Sequence, residues 1–234
     1  MSVLEYQLVR SSKRKTVSLQ VKAGKVRVLA PMKLAEQYIN DIVREKSPWL
    51  QLKITEQLNH FENQYVREYQ AGEIYYYQGK RYTLLIERAE TTGVLIVDNT
   101  IVISLKNLDI HKVELGHQVK KVLHAWYVNE AKQLLSNRFE VQCNHTKLNA
   151  SSLKIRYYKS RWGSCDAKQR INLNWLLVMA PIEVIDYVII HELCHTIHLN
   201  HSSKYWQLVS ELYPNFKQAK AWLKQHQQHL YWQN

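Results

Sequence analysis

A chain of 234 residues, 46% of them hydrophobic, can bury one large core or two small ones, and only six glycines and four prolines argue against long disordered linkers. No apolar run reaches the roughly 18 residues of a bilayer-spanning helix, so no membrane association is expected. The formal net charge of +12 and pI near 9.5 suit contact with polyanions, with a basic cluster at Arg10, Lys13, Arg14, Lys15, Lys22 and Lys25. The expected nucleic-acid contact is nonspecific, because no zinc knuckle, helix-turn-helix or RNA-recognition pattern accompanies the charge. Cys143, Cys165 and Cys194 are odd in number and widely spaced, and Met1 to Lys15 show no cleavable signal, so the expected compartment is the reducing cytoplasm.

Val3 to Arg10, Thr16 to Lys22 and Lys25 to Ala30 read as short strands, the last two joined at Ala23-Gly24 and ended by Pro31. Leu34 to Glu45 has helical spacing. Ser47-Pro48 starts a second helix with Trp49, Leu50, Ile54 and Leu58 as its stripe. Two hairpins follow: Ile74 to Gln78 with Arg81 to Ile86 across Gly79-Lys80, and Val94 to Val97 with Ile101 to Leu105 across Asp98-Asn99. A long helix is predicted over Val113 to Phe139, its inner side carrying Val119, Val122, Leu123, Trp126 and Tyr127. The fold class is α+β, with an N-terminal α+β region over 1–108 and a second domain over 109–234.

Lys168 to Trp175 alternates as a strand does, and in this position it is expected to hold substrate backbone by β-augmentation. Pro181 opens the next helix, whose run Val184 to Ile190 is apolar nearly all round and reads as buried. That helix ends in His191-Glu192-Leu193-Cys194-His195, an H-E-x-x-H motif. Residues four apart share a helix face, so His191 and His195 point at one ion, and Glu192 lies near a metal-bound water where a general base is needed. The plain alternative, two histidines and a glutamate on an ordinary helix, leaves expensive polar groups at the end of a buried segment.

Three protein ligands are usual for catalytic zinc. His201, six residues after His195, is the first choice, and the spacing H-E-x-x-H-x5-H matches the metzincins except that His198 stands where they have glycine. Asn200 is then expected to make the turn in a left-handed conformation. The competing ligand is Glu211 on the next helix, which Ser202 or Ser203 caps. His198 is expected at the surface or behind a ligand, and Cys194 as a small buried hydrophobe. Tyr157, Tyr158 and Arg161 each offer a donor for an oxyanion, with strand decoration as the plain reading.

The succession Lys159-Ser160-Arg161-Trp162-Gly163-Ser164-Cys165, Ile171-Asn172-Leu173-Asn174-Trp175, Ala180-Pro181, Ile185 to His195, Asn200-His201-Ser202 and Tyr205-Trp206 closely resembles the YgjP-like metallopeptidase family. That family is related to the SprT-like and WLM metallopeptidases within the zincin group. The resemblance implies a zincin-like domain, zinc at His191, His195 and His201, Glu192 as catalytic acid and base, and the Arg161 to Cys165 segment beside the active-site helix. The sequence-level reading is a zinc-dependent hydrolase, a metallopeptidase acting on peptide or protein. Its alternatives are a zinc-dependent hydrolase of a non-peptide bond such as a nucleotide phosphoanhydride, or a basic nucleic-acid-binding protein with a structural metal.

Overall fold

The computed structural model describes residues 4–22, 24–62, 67–107 and 112–232. It forms two compact units, Met1–Val66 and Arg67–Asn234. The break expected after residue 108 falls inside the second unit. There Leu84, Ile101, Ile103 and Leu105 of the strands share one core with the helices that follow.

The first unit carries β1 (Tyr6–Ser11), β2 (Ser18–Lys22) and β3 (Lys25–Pro31), followed by α1 (Glu36–Glu45) and α2 (Ser47–Glu62). The sheet order is β1-β3-β2, with β1 parallel and β2 antiparallel to β3. Alternation along β3 turns Val26, Val28 and Ala30 inward, where Ile39 and Val43, one turn apart on α1, and Leu50 of α2 complete a small core. Arg10, expected among the basic surface cluster, instead donates from Nη1 to the carbonyls of Pro31, Met32 and Leu34. Ala23 and the Leu58 side chain lie outside the described residues.

The second unit begins with β4 (Ile74–Tyr77), β5 (Lys80–Arg88), β6 (Gly93–Val97) and β7 (Thr100–Leu105), in the order β4-β5-β7-β6. Both expected hairpins form, but β7 lies parallel to β5, so the second hairpin is folded back onto the first. The 35-residue α3 (Lys112–Thr146) buries Val119, Leu123, Tyr127, Ala131 and Leu135, every fourth residue, which holds one face to the core over 119–135.

A three-stranded sheet follows, from β8 (Ser152–Arg156), β9 (Gly163–Cys165) and β10 (Arg170–Asn174), in the order β8-β10-β9. β10 is central, parallel to β8 and antiparallel to β9. Both of its edges are therefore used, and the strand expected to take substrate has no free edge. Within this sheet the edge strands are β8 and the short β9. A 3-10 helix, Trp175–Met179, leads into α4 (Ile182–Cys194), and α5 (Ser203–Leu212) and α6 (Phe216–His226) close the chain.

α4 is buried at every position from Val184 to Cys194 except His191. Pro181 caps it, its carbonyl accepting from the amides of Val184 and Ile185. The helix is pinned from two sides. Arg138 of α3 grips Asp186 with two parallel bonds, Nε to Oδ1 at 2.8 Å and Nη2 to Oδ2 at 2.6 Å. The tip of the β4–β5 hairpin docks at its start: Gln78 and Gly79 donate to the carbonyls of Val178 and Met179, and Gly79, at φ +78°, sits against Pro181.

Candidate active site

The last turn of α4 presents His191, and His195 follows as its C-terminal cap. The chain then leaves the helix through tightening bonds, the amides of Thr196 and Ile197 reaching the carbonyls of Leu193 and Cys194. Asn200 does not adopt the expected left-handed conformation; no residue of this turn has positive φ. Its role is through the side chain, Oδ1 accepting from the Ser202 amide at 3.2 Å. Ser202 then caps α5 through its Oγ. This short return carries His201 back to the end of α4.

The three imidazoles converge. Their nearest ring nitrogens lie 3.2 Å apart for His195 Nε2 and His201 Nε2, and 3.3 Å apart for His201 Nε2 and His191 Nε2. Zinc–nitrogen bonds of about 2.0–2.1 Å at tetrahedral angles put ligand nitrogens about 3.3–3.4 Å apart, and the two separations that involve His201 match that edge, with all three ligand atoms within 4.8 Å of one another. Among the described residues, this is the group of three or more metal-type side chains close enough to share an ion. Glu211 is not in it: its carboxylate is exposed on α5 and accepts from Gln207.

The aromatic surroundings orient the rings. Tyr205 stacks on His195 at 4.4 Å between centroids, and its hydroxyl donates to the His191 carbonyl at 3.0 Å. Trp206 stacks on His201 at 5.6 Å and is itself stacked by Phe216. His195 Nδ1 pairs with the His198 carbonyl at 2.9 Å, so His198 acts through its backbone behind a candidate ligand. His191 Nδ1 is buried with no partner, and its ring is held by contacts to Tyr187, Tyr205 and Trp206. Burial, and then the neighbouring His195, His201 and Lys220, hold the His191 imidazole down at about 3. Its neutral state is the one a metal ligand requires.

Glu192 is 5% exposed. Burial pushes its carboxyl up to about 8, with Arg161 pulling the other way. The Arg161–Cys165 segment lies beside it, and Gly163 of β9 packs directly on the Glu192 side chain. Asn174, 2% exposed, arranges this segment: its Nδ2 donates to the carbonyls of Tyr158 and Arg161, and its amide to that of Trp162. A cavity of about 280 Å³ opens next to His191 and Glu192, bounded by Arg161, Trp162, Tyr187, Val188, Lys220 and Leu223.

Of the three candidate oxyanion donors, Arg161 lines this cavity. The Tyr158 hydroxyl is 3.0 Å from Ser164 Oγ, and Tyr157 packs against the core. Cys194 is fully buried, its thiol pushed up to about 12 by burial, and Cys165 is pushed up to about 11 by burial and by Glu192. Sequence reasoning assigned no role to Asn174, Tyr187 or Lys220. An asparagine ahead of an apolar run does signal a cap, but nothing in the sequence brings α6 to α4.

Three converging imidazoles beside a buried carboxyl group, with an open cavity alongside, are the parts of a metal-dependent hydrolase. A scan of family models agrees: the YgjP-like metallopeptidase domain matches residues 15–226, and the chain belongs to that family. It is a metallohydrolase. Among solved structures, the crystal structure of the metallopeptidase zymogen of Pyrococcus abyssi abylysin is similar at 22% identity over 40% of this chain and 95% of that chain, with a TM-score of 0.36. A search of the curated proteins found no match. Among the described residues, no helix is long and apolar enough to cross a membrane.

Proposed function

We propose that the chain is a zinc-dependent peptidase acting on peptide or protein substrates, with His191, His195 and His201 as zinc ligands and Glu192 as the proton-transfer group. The observation that carries this reading is the spacing of the imidazole nitrogens, 3.2 and 3.3 Å, at the edge length of a tetrahedral zinc site beside a buried carboxylate. Zinc bound there supplies a Lewis acid that polarises the scissile carbonyl and eases loss of a proton from water. Glu192 takes that proton at a carboxylate oxygen as the water attacks, then delivers it to the leaving amine. A carboxyl whose proton affinity is raised by burial suits both halves of that transfer near neutral pH. Arg161, at the cavity wall, is the favoured donor to the developing oxyanion, ahead of Tyr158 and Tyr157. The three free cysteines support a cytoplasmic location.

The test is metal content and peptide cleavage measured together. Wild type should bind about one zinc per chain, and His201→Ala should lose most of it. Glu192→Gln should retain zinc and lose cleavage by about 10²–10⁴-fold. Cleavage by Glu192→Gln near the wild-type rate would overturn the mechanism, and zinc retained by His201→Ala would overturn the ligand set.

A further inference from the structure

Lys220 stands on α6, far in sequence from the H-E-x-x-H segment, yet it lines the cavity beside His191 and Glu192. Its Nζ lies 4.7 Å from the centroid of the Trp206 ring, which stacks on His201 on one hand and on Phe216 on the other. Phe216 and Lys220 are four residues apart on one helix, so the same face of α6 supplies both the support for Trp206 and the cation over it. A lysine laid over an indole is held by cation–π attraction and keeps its charge near the candidate metal centre.

The cavity has a one-sided charge. Arg161 and Lys220 stand on its wall, and neither has an ion-pair partner among the described residues. Its one acidic residue is Glu192, buried at the base. Apart from His191, the rest of the wall, from Trp162, Gly163, Tyr187, Val188 and Leu223, is largely apolar. At about 280 Å³ the space falls just below the range for small-molecule pockets, about 300–1,000 Å³, and suits one side chain better than a whole nucleotide. Two unpaired cations above an apolar wall attract an anionic group whose stem is apolar, and repel a cationic one.

We infer that this cavity selects an acidic residue of the substrate, with Lys220 holding a side-chain carboxylate of Asp or Glu next to the scissile bond and Arg161, left free for the oxyanion, adding only its positive field. The assignment rests on the peptidase reading and names its substrate class. Lys220 is a specificity residue and takes no part in the proton transfer.

The test is a binding measurement on zinc-loaded Glu192→Gln protein, in which turnover is suppressed. Trp162 and Trp206 border or flank the cavity, so tryptophan fluorescence reports occupancy. The probes are N-acetylated, C-amidated peptides that differ only in a single Glu, Gln or Lys. The Glu peptide should bind about tenfold more tightly than the Gln peptide, and the Lys peptide least tightly, with the preference shrinking as salt rises. Adding Lys220→Gln should reduce the Glu preference to about twofold or less, and Lys220→Glu should reverse it in favour of Lys. Lys220 is exposed, so both variants should keep the wild-type thermal transition. Equal affinity for the Glu and Gln peptides, or a preference that survives Lys220→Gln, overturns the inference. A gain confined to a Gln peptide with a free C-terminal carboxylate overturns the side-chain assignment. Selective binding of the Glu peptide without cleavage by wild type would instead count against the peptidase reading, so the two fail separately.

Discussion

Gly163 and Glu192 approach so closely that position 163 has no room for a side chain: a Cβ there would lie 2.6 Å from Oε1, 2.7 Å from Cγ and 2.9 Å from Cδ of Glu192. The glycine is required for space, letting the edge strand β9 lie against the carboxylate. Gly163→Ala should push the Glu192 carboxylate or β9 out of place. Peptide cleavage should fall at least about tenfold, since small misplacements of a catalytic group are costly. Zinc content should stay at the wild-type level, because the three atoms that a Cβ at 163 meets first all belong to Glu192 and none to a histidine. Parallel zinc analysis and cleavage assays check this, and unchanged cleavage would show that the contact does not position Glu192.

Tyr205 supports the histidines twice, by stacking on His195 and by donating to the His191 carbonyl. Tyr205→Phe keeps the ring and loses one hydrogen bond, so it should cost about 1 kcal/mol of stability with little change in zinc affinity. Tyr205→Ala removes a fully buried ring, should cost about 3–5 kcal/mol and should weaken zinc binding. Urea unfolding and zinc competition titrations separate the two effects. Equal losses in both variants would place the whole contribution in the hydroxyl.

Arg138 and Asp186 join α3 to the active-site helix at a partly buried point. Arg138→Met should destabilise the protein by about 2–4 kcal/mol, because Asp186, 9% exposed, is left without its partner. Adding Asp186→Leu should recover much of that loss, since the buried charge is then gone. A double variant as unstable as Arg138→Met alone would show that lost packing, not an unpaired charge, is the cause.

His124 packs edge-on to Trp175 and beside Trp232, and burial, followed by Lys120, holds its imidazole below the usual 6.5. Above 6.5 both the folded and unfolded states are neutral at this position. As pH falls through 6.5 the unfolded chain gains a proton that the folded protein refuses, so the stability contributed here is lost toward the folded pKa. Unfolding of zinc-loaded wild type and His124→Gln, compared between pH 7.5 and pH 5 (about the span of an ordinary histidine titration), should show a shallower decline in the variant. Parallel curves would assign the acid sensitivity to other groups.

The Gly79–Pro181 contact locks a hairpin tip onto the start of α4. A Cβ at 79 would lie 2.6 Å from Pro181 Cγ, and the backbone is already at φ +78°, so Gly79→Ala is opposed by both space and conformation. It should lower stability by more than about 1 kcal/mol. Thermal unfolding measures it, and an unchanged transition would mean that the hairpin is free to shift away from α4.

Local chemistry made much of this chain legible before any coordinates. H-E-x-x-H brings His191 and His195 together because four residues nearly complete a helical turn, and the apolar run before them marks α4 as buried. The hairpins at Gly79 and Asp98 follow from turn residues that accept positive φ, and the resemblance carried by the Arg161 to Cys165 and Asn200 to Ser202 segments pointed to the family. What the sequence left undecided depended on contacts between distant segments. His201 and Glu211 were rivals until the return after His195 brought one to the other imidazoles and left the other in solvent. The parallel pairing of β5 with β7, the central place of β10, the division near residue 66, the closeness of Gly163 to Glu192, and the arrival of Lys220 at the cavity are all tertiary. Helical period and turn propensity act over a few residues, whereas strand order and cavity walls are set by which distant surfaces bury one another, and no short pattern encodes that choice.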